Sequence, residues 1–137
     1  MRLPAAFLCF LSLTTGRMVG GWSPVGDITE PRLQHLAQFA LQSLARACAE
    51  SNAISCNKLA AATFQSVMEA HTQVVSGLNY EIMAQTSAGP VTLRIYEQSW
   101  TRTLQITEAI FEEATLPTVS LDAMAFEDSL AKVQGKK

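Results

Sequence analysis

Between Leu33 and Cys48 the apolar residues recur at spacings of three and four: Leu33, Leu36, Ala37, Ala40, Leu41, Leu44, Ala47 and Cys48. A stripe of that period is one face of an amphipathic helix. Its entry signal is Asp27-Ile28-Thr29-Glu30-Pro31, where Thr29 is placed to cap and a proline in the first turn forgoes no needed N–H. The helix is predicted to end near Ala49. Residues 50–57 read as a polar connection, and 58–63 can extend a helix by propensity. From Phe64 the period drops to two. Phe64, Ser66, Met68, Ala70 and Thr72 alternate with Gln65, Val67, Glu69, His71 and Gln73. A turn is predicted over Gln73–Gly77, and a second strand runs from Leu78 to about Thr86 with Tyr80, Ile82 and Ala84 on one face. Ala88-Gly89-Pro90 breaks the pattern. Val91, Leu93 and Ile95 then share a face in a third strand, and Leu104 and Ile106 in a fourth, on either side of Trp100. One long helix followed by an antiparallel meander is an α+β arrangement, with the helix laid across the sheet. Past Pro117 the chain is helix-prone from Leu121 to Val133 and is expected to be partly disordered.

Composition narrows the possible functions. The chain has 137 residues, 48% hydrophobic and 16% charged, with a net charge of −2. That is enough for one domain with an ample core, and it argues against nucleic acid as a partner. Met1-Arg2, the apolar run from Leu3 to Leu13 and the small-residue exit Thr14-Thr15-Gly16 read as a secretory signal over residues 1–16. The run is too short to span a bilayer, so no membrane role is expected. The competing reading is an N-terminal core helix. With the signal removed, Cys9 leaves and Cys48 and Cys56 remain. In a secreted chain such a pair favours a disulfide, while two buried free thiols would suit a cytosolic protein.

Catalytic constellations are absent from the sequence. The nucleophile candidates Cys48 and Cys56 lie around a helix end, with His35 on the helix and His71 mid-strand, and no orienting third group follows a motif. Two histidines without a Cys-x-x-Cys give no metal spacing, and no glycine-rich phosphate loop occurs. Neither an enzyme nor a cofactor is expected.

Three motifs remain, in order along the chain. Val19-Gly20-Gly21-Trp22-Ser23-Pro24-Val25 stands near the start. Gln73-Val74-Val75-Ser76-Gly77 occupies the first turn, and Trp100 the second, preceded by Ser99. Together they resemble the inhibitory edge of the cystatins, inhibitors of papain-like cysteine proteases, over roughly Met18 to Ile110. Leu36-Ala37-Gln38-Phe39-Ala40-Leu41 resembles the helix signature of the plant members, departing at Gln38 and Leu41. The Met-Val-Gly-Gly-Trp-Ser-Pro-Val opening and the Gln-Ser-Trp-Thr-x-Thr-Leu-Gln turn are most similar to the secreted oomycete members.

The resemblance implies a cystatin-like fold, one long helix packed across a four- to five-stranded antiparallel sheet, with residues 17–115 as the domain and 116–137 as a tail of no assigned role. It implies a secreted, extracellular, monomeric protein whose partner is a papain-like cysteine protease. Gly20 and Gly21 would enter the substrate-binding side of the cleft. Gln73, Val74, Val75, Ser76 and Gly77 would sit over the catalytic pair, and Trp100 would cover the leaving-group side. Trp22 is read as core. The alternative is a cystatin-fold module that binds without inhibiting. A legumain site of the kind some animal members carry is incomplete here, because Ser51-Asn52 is followed by Ala53.

Overall fold

The computed structural model describes residues 21–50 and 54–134. The signal at 1–16, Gly20 and the Ser51–Ala53 segment lie outside the described residues. The chain runs β1 (Trp22–Pro24), α1 (Pro31–Cys48), α2 (Ile54–Ala60), β2 (Phe64–Val75), β3 (Gly77–Thr86), β4 (Gly89–Gln98), a 3-10 turn (Ser99–Thr101), β5 (Thr103–Phe111), β6 (Ala114–Thr115), β7 (Val119–Ser120) and α3 (Ala123–Gln134). The strands form one antiparallel sheet in the order β1-β2-β3-β4-β5-β6, with β7 also on β5. Four strands are long, and the three short ones take the count among the described residues to seven, beyond the four or five expected. Two- and three-residue strands carry no period for a sequence to show.

The stripe on α1 is buried as its spacing predicts: Leu33, Leu36, Ala37, Ala40, Leu41, Leu44 and Cys48 all lie in the core. Opposite them stand Tyr80, Ile82 and Ala84 of β3, Val91, Leu93 and Ile95 of β4, and Leu104, Ile106, Ala109 and Phe111 of β5. Cutting back one of the sealed leucines such as Leu44 to alanine would cost about 2–5 kcal/mol. The helix cap differs from expectation. Glu30, not Thr29, closes the N-terminus, its carboxylate accepting from the N–H groups of Arg32 (3.2 Å) and Leu33 (3.0 Å). Thr29 is drawn instead to Asp27, which accepts from both its N–H and its hydroxyl. Those two hydrogen bonds hold the Asp27 carboxyl below its ordinary range.

The connection after α1 is not wholly irregular. It contains the short helix α2, which Cys56 ties to Cys48 through a disulfide. Both cysteines are fully buried. Closing so short a loop stabilises the fold by roughly 2–3 kcal/mol on the chain-entropy model.

Strict alternation fails in β2. The register skips Gln65 and Met68, two bulges, and the second turns the strand over, so that Val67 and Ala70 both face the core while Met68 faces out. A bulge inserts one residue and reverses the facing of everything after it. Thr107 is skipped in the same way in β5. Trp22 is also not core. It is 41% exposed on the outer face of the sheet, with the Arg94 guanidinium 5.7 Å over its ring.

The segment after Pro117 is ordered through Gln134. Leu121, Phe126 and Leu130 are buried, and Asp122 caps α3 by accepting from the Ala125 N–H at 3.0 Å. Phe126 packs between His35 and Phe39 of α1, with ring centroids 5.5 Å from each. A packed third helix therefore replaces the partly disordered tail of the sequence reading.

Candidate inhibitory edge

Three segments meet at one end of the sheet. The β2–β3 hairpin pairs as far as Val75 with Gly77, which leaves Ser76 alone at the tip. This is tighter than the predicted five-residue turn. Gly77 is required there on two counts. Its φ of +113° lies in the region that favours glycine, and a Cβ would stand 2.6 Å from the Glu97 carbonyl oxygen. On the other side of Gln73 runs β1, with Trp22 opposite Gln73 and the exposed Gly21 immediately before it. The N-terminal segment therefore lies alongside the first hairpin. Asn79 donates its side-chain amide to the Gln73 side-chain oxygen at 2.8 Å, which ties the hairpin legs together.

The second hairpin turns through the 3-10 segment. Trp100 is 68% exposed at its apex, and Arg102 closes the turn in the left-handed conformation at φ 54°, its N–H donating to the Ser99 carbonyl at 3.1 Å. The Thr101 hydroxyl donates to the Gln98 carbonyl and is also close to the Gln98 side-chain oxygen, at 2.8 Å. The turn's own hydrogen bonds thus hold the indole out into water. Val74, 56% exposed, stands on the first hairpin.

The two hairpins are joined. The Tyr96 hydroxyl donates to the Ser76 carbonyl. The Gln98 side-chain amide donates to the same carbonyl at 3.1 Å and to the Ser76 hydroxyl at 3.2 Å. Tyr96 and Gln98 stand two residues apart on β4, hence on one face. Sequence reasoning missed both, although their period-two spacing was visible, because what they reach is set by strand pairing.

Behind the hairpins lies a cleft of about 530 Å³, bounded by Val74, Val75, Leu78, Tyr80, Glu97 and Trp100. Glu97 closes its back. It accepts from the Tyr80 hydroxyl at 3.0 Å and from the Arg32 guanidinium at 2.7 Å. Burial, aided by the Glu97 carboxylate, pushes the Tyr80 phenol up to about 12, so it stays a neutral donor. Burial alone would pull the Arg32 guanidinium down, but Glu127 of α3 and Glu97 outweigh it.

Neither histidine has catalytic company. His35 stacks on Phe126 at a centroid distance of 5.5 Å, its Nε2 2.6 Å from the Ser129 hydroxyl. His71 has Glu69 at 3.7 Å. The two cysteines are bonded to each other, which leaves neither as a nucleophile. Among the described residues no group of three His, Cys, Asp or Glu side chains could hold a metal ion, and no helix is long and apolar enough to cross a membrane.

Residues 20–108 match the family model of the cystatin domain. Cysteine proteinase inhibitor 8 of rice (Oryza sativa subsp. japonica) is 37% identical over 97 residues, covering 67% of this chain and 71% of that protein. Cysteine proteinase inhibitor 5 of Arabidopsis thaliana is 32% identical over 98 residues, covering 65% and 72%. In fold the chain resembles the crystal structure of a salivary cystatin from the soft tick Ornithodoros moubata. The TM-score is 0.51 at 23% identity, over 67% of this chain and 96% of that one. With the family model spanning more than half the chain, and the helix, hairpins and sheet arranged as described, this protein belongs to the cystatin family.

Proposed function

We propose that this protein is a secreted, reversible inhibitor of papain-like cysteine proteases, released by removal of residues 1–16 and acting as a monomer. The observation that carries this reading is the convergence of the Gly21 segment, the Ser76 tip and Trp100 on one sheet edge. Such an edge fills a cleft with backbone and apolar side chains. Gly20 and Gly21 let the chain approach the substrate side closely, for want of a Cβ. Val74 and Val75 cover the catalytic pair, and Trp100 covers the leaving-group side. An interface of this kind is of standard size, on the order of 1,600 Å².

An inhibitor must also avoid being a substrate. Hydrolysis needs the scissile carbonyl free to swing into the oxyanion donors of the protease. The Ser76 carbonyl already accepts from Tyr96 and Gln98, and Gly77 is packed against the Glu97 backbone. The tip therefore enters the cleft with its Ser76 carbonyl occupied and its backbone held by Gly77. With the Ser76 carbonyl held away from attack by the protease thiolate, inhibition is non-covalent.

Titrating a papain-like protease with the protein lacking residues 1–16 tests this reading. Activity should fall linearly to zero at one equivalent, and the inhibitor should be recovered intact. A module that bound without inhibiting would leave turnover unchanged.

A further inference from the structure

The family model ends at residue 108, so α3 lies beyond it. Nonetheless α3 is built against the second hairpin. A cleft of about 290 Å³ separates the two, lined by Glu97, Ser99 and Arg102 on the hairpin side and Met124, Glu127 and Asp128 on the helix. Glu97 and Ser99 also line the cleft between the hairpins. The two depressions thus adjoin at Glu97 and Ser99, at the base of the Trp100 turn.

The helix is fixed in that place. Arg32 binds Glu97 at 2.7 Å and Glu127 at 3.1 Å, and its guanidinium lies 5.1 Å over the Phe126 ring. One arginine of α1 thereby clamps α3 to the strand that leads into Trp100. On the solvent side Met124 is 58% exposed, with the Arg102 guanidinium 3.8 Å from its sulfur. Asp128 is exposed and forms no ion pair among the described residues. Around the cleft the carboxylates Glu97, Glu127 and Asp128 face the guanidiniums of Arg102 and Arg32, which leaves the carboxylates in excess by one.

The geometry points to α3 as a fourth element of the inhibitory edge, a specificity contact for the protease surface flanking the leaving-group side. This rests on the inhibitory reading above. Its occupant is a rim segment of the papain-like protease itself that presents a lysine or arginine to Asp128 and an aliphatic stem to Met124. The shared wall with the Trp100 cleft, Glu97 and Ser99, supplies the position, and the excess of carboxylates supplies the charge preference. Met124 is an adaptable apolar surface of the kind that fits varied partners. A charged rim of this sort tunes association rate and partner choice more than total affinity.

Deleting α3 would unseat Phe126 and Leu130, so surface variants are the proper test. Asp128→Lys and Met124→Ala, singly and together, are compared with the parent protein and with Trp100→Ala across several papain-like proteases. Melting curves should superimpose for the α3 variants. Against proteases with a basic rim, Asp128→Lys should slow association about tenfold at low salt, with the gap closing at high salt as the charges are screened. Met124→Ala should speed dissociation several-fold. If the α3 variants match the parent against every protease while Trp100→Ala is weakened, the helix contact is refuted and the inhibitory reading stands. Failure of the parent protein to inhibit any of them would overturn both.

Discussion

The Tyr96 hydroxyl, near the end of β4, donates to the main-chain carbonyl of Ser76 at the tip of the neighbouring hairpin. The strand leading into the Trp100 turn thus holds the first hairpin in its working shape. Tyr96→Phe keeps the ring and removes the donor. It should weaken inhibition several-fold and lower the melting temperature by a few degrees, about the 1 kcal/mol that one intramolecular hydrogen bond contributes to the fold. Mass spectrometry after long incubation with protease should show slow cleavage near Ser76 in the variant and none in the parent.

Gly77→Ala is expected to be far more damaging than its size suggests. The added Cβ meets the Glu97 carbonyl oxygen at 2.6 Å, and the residue must keep a φ of +113°. Strain of this kind costs of order 1–3 kcal/mol. Thermal unfolding should register the loss, and the inhibition constant should worsen with it because the tip is displaced.

Cys48 and Cys56 should yield no free thiol in denaturant without reductant. The double variant Cys48→Ala/Cys56→Ala should lose roughly 2–3 kcal/mol in urea unfolding, since the loop closed by the bridge is short. Inhibition measured below its melting temperature should be retained, the bridge being an anchor for α2 rather than part of the edge.

Burial lowers the pKa of His35 from its ordinary 6.5. The unfolded chain therefore takes up its proton at a higher pH than the native one. Stability from this residue is complete above about pH 6.5 and declines as the pH falls through the interval down to the lowered native value. The groups facing the ring are Phe39, Phe126 and Ser129. Melting temperature followed from pH 7.5 to 5 should drop, and His35→Gln should flatten part of that slope. An identical slope in the variant would show that other groups carry it.

Much of this architecture was legible because the burial period is regular wherever an element is long. The α1 stripe from Leu33 to Cys48 and the inward sets of β3 and β4 are buried as their spacing predicts. The pattern failed where an extra residue enters, as at Met68, since a bulge reverses facing without changing composition. Thr29 was favoured as the cap on residue preference, but the Asp27 carboxylate captures it and leaves Glu30 to close the helix. Trp22 escapes the burial its size suggests because a three-residue edge strand turns it outward over Arg94. The third helix was underestimated because only three apolar positions face inward, Ala123, Phe126 and Leu130. What seats them is an aromatic and ionic contact with residues nearly a hundred positions away. At the edge, the motif residues could be read from their letters. Tyr96, Gln98 and Glu97, which hold them in place, could not, because their partners are chosen by strand register.

If an exposed, preorganised edge closes a papain-like cleft, removing the Trp100 side chain must cost binding and not folding. Dissociation rate and melting temperature, measured together for Trp100→Ala in complex with papain, separate the two. The indole is 68% exposed, so its removal should leave the melting temperature within a degree or two of the parent. Dissociation should quicken by thirtyfold or thereabouts, the equivalent of the roughly 2 kcal/mol that an aromatic anchor supplies. A variant that melts as the parent does and leaves papain no faster would show that Trp100 is no contact and that this edge does not close the cleft.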